Sequence, residues 1–296
     1  MSDWIRKTGG QELKINEENG VCYLTFPALS RTGLVDHSFS TRIGGASEGK
    51  FATMNFGFTR GDDPAHVLEN YRRMAEILGV KKERMVLSWQ THTTNIRRVT
   101  TEDEGKGVVR ERDYRDVDGL ITNVPGITLV TFYADCVPLY LLDPVHRAIG
   151  LSHSGWRGTV KRMGQATLEA MNREFKTAAE DVIACIGPSI CQDCFEVGGE
   201  VIEEFAEEFD SRYHDELFYR KENAKYQLDL WRANQIVFAE AGVKEENIHT
   251  TDICTHCNPD LLFSHRTTGT ERGNLSAFLC LRKEENDACF NSRSFC

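Results

Sequence analysis

The sequence predicts a mixed α/β fold of the α+β kind, with strands and helices in layers and without the strict alternation of a doubly wound sheet. Two patterns carry this reading. Short apolar runs crowd the middle of the chain at 127–133, 139–142 and 148–152, each separated from the next by polar or proline-containing breaks. Stretches with helical periodicity frame those runs, but no helix separates one strand from the next in regular order. The 296 residues suffice to bury a full core, and 40% hydrophobic with 27% charged residues is the balance of an ordinary globular chain.

Residues 1–20 are polar and are expected to be a loosely ordered segment. Val21 to Phe26 alternates as a strand does, and His37 to Thr41 leads into the turn Arg42-Ile43-Gly44-Gly45. A helix begins after Asp63, which can cap it; Pro64 suits its first position and Gly79 its stop. Val67, Leu68, Tyr71, Met74, Ala75 and Leu78 recur along it at helical spacing. Met85 to Trp89 and Ile96 to Val99 read as strands on either side of the polar junction Gln90–Thr94. After the three central strands, Ser154–Gly158 opens one helix to about Phe175. Val182 to Ile186 is a further strand, helices follow near 200–209 and 230–241, and 260–281 reads as strand, loop, strand. Residues 21–284 are expected to form a single catalytic domain, with 285–296 a C-terminal tail.

A net charge of −10 argues against a nucleic-acid partner, because phosphate neutralisation needs clustered Lys and Arg. No apolar stretch reaches the length of a membrane span, and the polar N-terminus carries no targeting signal, so a soluble cytoplasmic location is expected. The ten cysteines are then expected to be reduced. Oligomeric state is left open.

Three residues stand at strand ends, where side chains can converge on a cleft: His92 at the break between two strands, Cys136 before Pro138, and His153 ahead of a glycine-rich helix entry. Two imidazoles and a thiolate make a three-donor zinc site with its fourth position open. Position alone leaves other readings standing. His92 can be a strand-end histidine, Cys136 a small buried hydrophobe and His153 a helix cap. The separations of 44 and 17 residues match no short zinc motif.

The strings HSFSTRIGG (37–45), MNFGFTRGDDP (54–64), SWQTH (88–92), DGLIT (118–122), YADCVPLYLLDP (133–144), HSGWRG (153–158), IGPSI (186–190), CFEVG (194–198) and CTHCNPDLLFSHR (254–266) occur in order. Together they resemble the YfiH-like family, also called laccase-domain or multicopper polyphenol oxidase proteins, which includes the vertebrate purine enzyme FAMIN. The resemblance runs from about 35 to 282. It implies a single-domain CNF1/YfiH-like cysteine hydrolase fold, and a metal, usually zinc, on His92, Cys136 and His153. It further implies phosphorolysis of adenosine, inosine, guanosine and methylthioadenosine, with deamination of adenosine, so that purine nucleoside and phosphate are the expected partners. One departure is that Thr93 and Thr94 follow the first histidine, where the family usually has glycine; this is expected to narrow the cleft.

For phosphate, Arg42 with the Gly44-Gly45 backbone is one candidate and the helix entry with Arg157 another. For proton transfer, Asp135 is the nearest carboxylate in sequence; if it lies on a strand its side chain points away from Cys136, so it is expected to orient a histidine ligand instead. Asp118 is a further acid candidate. Two other functions compete. A single copper on the same residues would make a phenol oxidase, although nine scattered histidines are few for a multicopper centre. A metal-free Cys136 with His153 or His92 as base would make a cysteine hydrolase acting on peptidoglycan precursors. Finally, Cys191-Gln-Asp-Cys194 and Cys254-Thr-His-Cys257 are two C-x-x-C pairs, but 59 residues separate them, far more than in a zinc ribbon. They are expected to be separate buried thiols. Cys289 and Cys296 fall in the tail.

Overall fold

The computed structural model describes residues 3–7 and 12–284. Cys289 and Cys296 lie outside them. Among the described residues the chain forms fifteen strands: β1 (Lys14–Glu18), β2 (Val21–Thr25), β3 (Val35–Ser40), β4 (Met85–Leu87), β5 (Ile96–Arg98), β6 (Gly119–Thr122), β7 (Thr128–Tyr133), β8 (Val137–Asp143), β9 (Ala148–Ser154), β10 (Ile183–Ile186), β11 (Glu196–Val197), β12 (Phe218–Arg220), β13 (Tyr226–Leu228), β14 (Ile248–Thr250) and β15 (Leu275–Leu281). The helices are α1 (Pro27–Ser30), α2 (Pro64–Leu78), α3 (Trp156–Val160), α4 (Met163–Phe175), α5 (Gly199–Glu208), α6 (His214–Leu217), α7 (Leu230–Glu240) and α8 (His265–Thr268).

Two six-stranded sheets dominate, in the orders β1-β2-β3-β15-β7-β4 and β14-β10-β8-β9-β6-β5; β11, β13 and β12 make a small third sheet. Side-chain alternation along a strand assigns the layers. Leu129 of the first sheet meets Tyr140 and Leu142 of the second in a core between the sheets. Val130, one residue on, faces outward onto Val67, Tyr71 and Met74 of α2. Leu139 and Leu141 likewise face outward, onto Met171 of α4 and Phe238 of α7. The result is four layers, helix, sheet, sheet and helices, which is the mixed α/β class the sequence predicts.

The caps of α2 behave as expected: the Asp63 side chain accepts from the Ala65 amide, and Gly79 stops the helix with φ of 64°. Three expectations are corrected. Residues 14–18 are a strand, because Asn19 and Gly20 take positive φ (51° and 78°) and make a two-residue hairpin into β2. The helix after Gly155 is two helices, broken at Arg162 (φ 57°), whose guanidinium bonds Glu208 and, at 2.8 Å, Glu240. Residues 260–264 form no strand: Leu261 and Leu262 turn back onto the Asn258 carbonyl, and α8 follows before β15.

Candidate metal centre

The chain crosses from the first sheet to the second between β7 and β8, and Cys136 lies on that crossing. Asp135 makes the corner with φ of 82°. β9 pairs with β8 so that His153 stands opposite Pro138. His92 reaches the same place from the loop after β4. Gln90 anchors that loop by acting as a strand in miniature: its side chain accepts from the Phe132 amide and donates to the Phe132 carbonyl, each at 2.7 Å. The ligand atoms of His92, Cys136 and His153 all lie within 4.8 Å of one another, and the two imidazoles meet edge to face at 5.0 Å. One zinc with bonds of about 2.0–2.3 Å fits such a triangle.

Asp118 organises the triangle. Its carboxylate accepts five hydrogen bonds: the amides of Thr91, His92 and Thr93 and the Thr93 hydroxyl at 3.0 Å each, and His153 Nδ1 at 2.8 Å. His153 is thereby turned to present Nε2 to the centre, and His92 is held at a φ of 65°. Burial resists charge on Asp118, but the bonds from His153 and the amides hold it down at about 2. Burial also opposes the Cys136 thiolate, yet His153 and His92 bring the thiol down to about 6. For His153, burial is outweighed by Cys136 and Asp118, which raise it to about 9. Gly155 lets these groups meet: a Cβ there would stand 3.0 Å from Cys136 Sγ and 3.1 Å from His92 Cδ2.

The other predicted site residues do not converge here. Asp135 faces away from the histidines, accepting from Thr255 Oγ1 and the Arg266 amide at 2.6 Å each; the orienting carboxylate is Asp118, because a left-handed corner, not a strand, sets the direction of Asp135. Arg42 donates to the carbonyls of Ala52 and Pro259 at 2.9 Å and covers the Phe263 ring, so it braces loops and does not line the cavity beside the triad. Gly44 and Gly45 serve close packing: an added Cβ would stand 2.3 Å from the Gly20 carbonyl oxygen and 2.0 Å from that of Thr53, respectively, and the Gly45 amide already donates to Thr53 Oγ1 at 3.0 Å. Arg157 is exposed and stacks on Trp156. Thr93 turns its hydroxyl to Asp118, and neither Thr93 nor Thr94 lines the cavity beside the triad.

The triad opens on a cavity of about 510 Å³ lined by Phe58, Trp89, Arg60, Arg112, Arg272 and Asn274, among others. Arg112 stacks on Trp89 and donates to the Ser88 carbonyl. Arg272 donates to Asn274 Oδ1 at 2.7 Å, while its buried Nε has no protein partner. Burial and the like charge of Arg60 lower Arg272 to about 10. These arginines escaped the sequence reading. Arg60 sits within MNFGFTRGDDP and Arg272 after the last string, and no spacing rule connects either to a histidine more than thirty residues away. A second cavity, of about 290 Å³, reaches the other side of Cys136 between Trp156, Phe195 and His265.

Fold and site together define an α/β enzyme with a candidate three-donor metal site at the junction of two sheets. The chain belongs to the family described as multi-copper polyphenol oxidoreductase laccase, whose model matches residues 36–282. It is 37% identical over 263 residues to the purine nucleoside phosphorylase of Bacteroides thetaiotaomicron, spanning 88% of this chain and 96% of that protein. It is also 37% identical over 217 residues to adenosine deaminase RL5 from an unknown prokaryotic organism, spanning 72% and 81%. Among solved structures, YlmD from Geobacillus stearothermophilus superposes with a TM-score of 0.84 at 32% identity, covering 93% of this chain and all of that one.

Among the described residues, no histidine besides His92 and His153 joins a convergent group of three or more donors. His37 accepts from the Phe26 amide, His146 bonds Asp143, His214 the Phe209 carbonyl, His256 Thr267 and His265 the Gly269 carbonyl. Among the described residues, no helix is long and apolar enough to cross a membrane.

Proposed function

We propose that this enzyme phosphorolyses purine nucleosides (adenosine, inosine, guanosine and methylthioadenosine) to base and ribose 1-phosphate or its thio analogue, and deaminates adenosine, using zinc on His92, Cys136 and His153. The observation that carries this is the pairing of the three-donor centre with an arginine-lined cavity on its open side; relatives named purine nucleoside phosphorylase and adenosine deaminase support the substrate class. We further take residues 21–284, extended by β1 at the edge of the first sheet, to act as one catalytic domain, since β15 lies between β3 and β7 and so ties the two ends of that span together; we place the enzyme in the cytoplasm.

When bound, zinc supplies Lewis acidity and acidifies water at near-neutral pH. The chain does the rest. Arg60 and Arg272 both line the cavity and offer guanidinium charge to phosphate, in place of Arg42. Phe58 and Trp89 offer flat faces for a purine ring. In phosphorolysis a phosphate oxygen bonds C1′ while the C1′–N9 pair leaves with the base, which takes up a proton. Asp118 keeps both histidines aligned throughout and stays ionised, so it acts on the ligands and not on the substrate. Zinc suits this donor set as well as copper does, and oxidase chemistry needing several coppers lacks the histidines for it.

Incubating the enzyme with adenosine, with and without phosphate, and separating the products tests the reading. Adenine should form with phosphate, inosine without it, and neither in Cys136→Ala. Unchanged turnover in that variant removes the proposal. Arg272→Ala should raise the KM for phosphate about tenfold or more and alter that for nucleoside much less; equal effects on both would contradict the anion assignment.

One observation favours a second reading. His153 lies between Cys136 and Asp118 in a Cys-His-Asp series, and the thiol is brought down to about 6. A cysteine hydrolase would alkylate with iodoacetamide equally before and after chelation; the zinc reading expects protection until the metal is removed.

A further inference from the structure

We propose that Cys191, Cys194, Cys254 and Cys257 hold a second zinc ion, in a closed four-sulfur site whose role is structural. The fold overturns the expectation that these are separate thiols. Parallel pairing of Ser189 with Cys254 sets the two C-x-x-C turns side by side, and all four sulfurs lie within 4.8 Å of one another. Cys194 Sγ and Cys257 Sγ are 3.5 Å apart. That is close to the roughly 3.8 Å edge of a tetrahedron of zinc–sulfur bonds and far beyond the roughly 2.05 Å of a disulfide.

One amide already points at the cluster: the Cys191 N–H donates to Cys254 Sγ at 3.3 Å. Amide donors of this kind stabilise sulfur that carries charge. Four thiolates around a divalent ion leave two negative charges. Lys7 stands against them, close to Cys191 and Cys257 and held by Asp193 at 3.0 Å. Ile190, Phe195 and Trp231 pack against the cluster, in which Cys191 and Cys254 are buried and Cys194 and Cys257 half-buried. With four protein donors no position is left for a reactant, which separates this centre from the open triad.

The site also has work to do. It joins two loops that 59 residues separate in sequence. The second loop runs on to Thr255 and Arg266, which grip the Asp135 carboxylate beside Cys136. The staple therefore backs the wall of the catalytic centre. The proposal stands on these contacts and not on the reaction at the triad.

The test is metal analysis of the full chain, together with optical spectra after cobalt replacement. The wild type should carry about two zinc ions per chain, and both Cys136→Ala and Cys194→Ser/Cys257→Ser about one. Cobalt in Cys136→Ala should give the intense charge-transfer and tetrahedral bands of four-sulfur coordination. Should the double serine variant fail to fold, the Cys136→Ala protein decides alone. Retention of no metal there overturns the proposal. So does a non-reducing thiol count four short of the reduced chain, which would mean disulfides, and so does iron in the place of zinc.

Discussion

Two buried aspartates, Asp118 and Asp135, flank the metal centre and do different work. Asp118 holds both histidines, so Asp118→Asn should weaken zinc binding by about 10–100-fold in a chelator competition. Asp135→Asn should leave zinc affinity at the triad near wild type and instead lower stability by about 1–3 kcal/mol in denaturant unfolding, through the bonds to Thr255 and Arg266. The pair Cys136 and His153 adds a pH signature. Between about 6 and about 9 the metal-free site holds a thiolate and a protonated imidazole. Zinc must displace that proton, so binding releases about one, and apparent affinity should climb about tenfold per pH unit across the window and level off above it. An affinity independent of pH between those limits would show that the imidazole is not a ligand. The three candidate ligands were singled out in the sequence because each stands at a strand end, but position alone left other readings open and only the family strings around them joined them into one site. Their organiser was not legible: Asp118 precedes a strand, but only the sheet order brings β6 beside β9 and so Asp118 beside His153.

At the scale of elements, local signals were reliable where the chain itself supplies the partner. The cap and stop of α2 are examples, and Asp63→Ala should cost about 0.5–2 kcal/mol in thermal or denaturant unfolding without altering turnover. The β1–β2 hairpin was missed, because the polar composition of residues 1–20 concealed the turn signal in Asn19-Gly20. Long-range contacts were not legible. Arg42 resembles an anion binder beside two glycines, but those glycines are there so that three backbone segments can touch. Gly155 is the counterpart at the site. Gly155→Ala should preserve the fold, measured by circular dichroism, while displacing Cys136 or His92 and lowering zinc occupancy at the triad. Full occupancy in that variant would show that the close approach has no bearing on the metal.

The four-layer architecture explains how the three donors of the candidate catalytic centre come together. Crossing from one sheet to the other between β7 and β8 leaves a corner that neither sheet covers, and the cavity fills it. Ligands from three separate stretches meet there because two sheets bring their edges and ends to one place, which no spacing in the sequence encodes. The central claim is that turnover depends on the ion held by His92, Cys136 and His153. Stripping the enzyme with a chelator, adding zinc stepwise and following adenine release from adenosine and phosphate tests it most directly. Release should rise from background to a plateau in the wild type and stay flat in Cys136→Ala; full turnover by the stripped enzyme before any zinc is added would contradict the account.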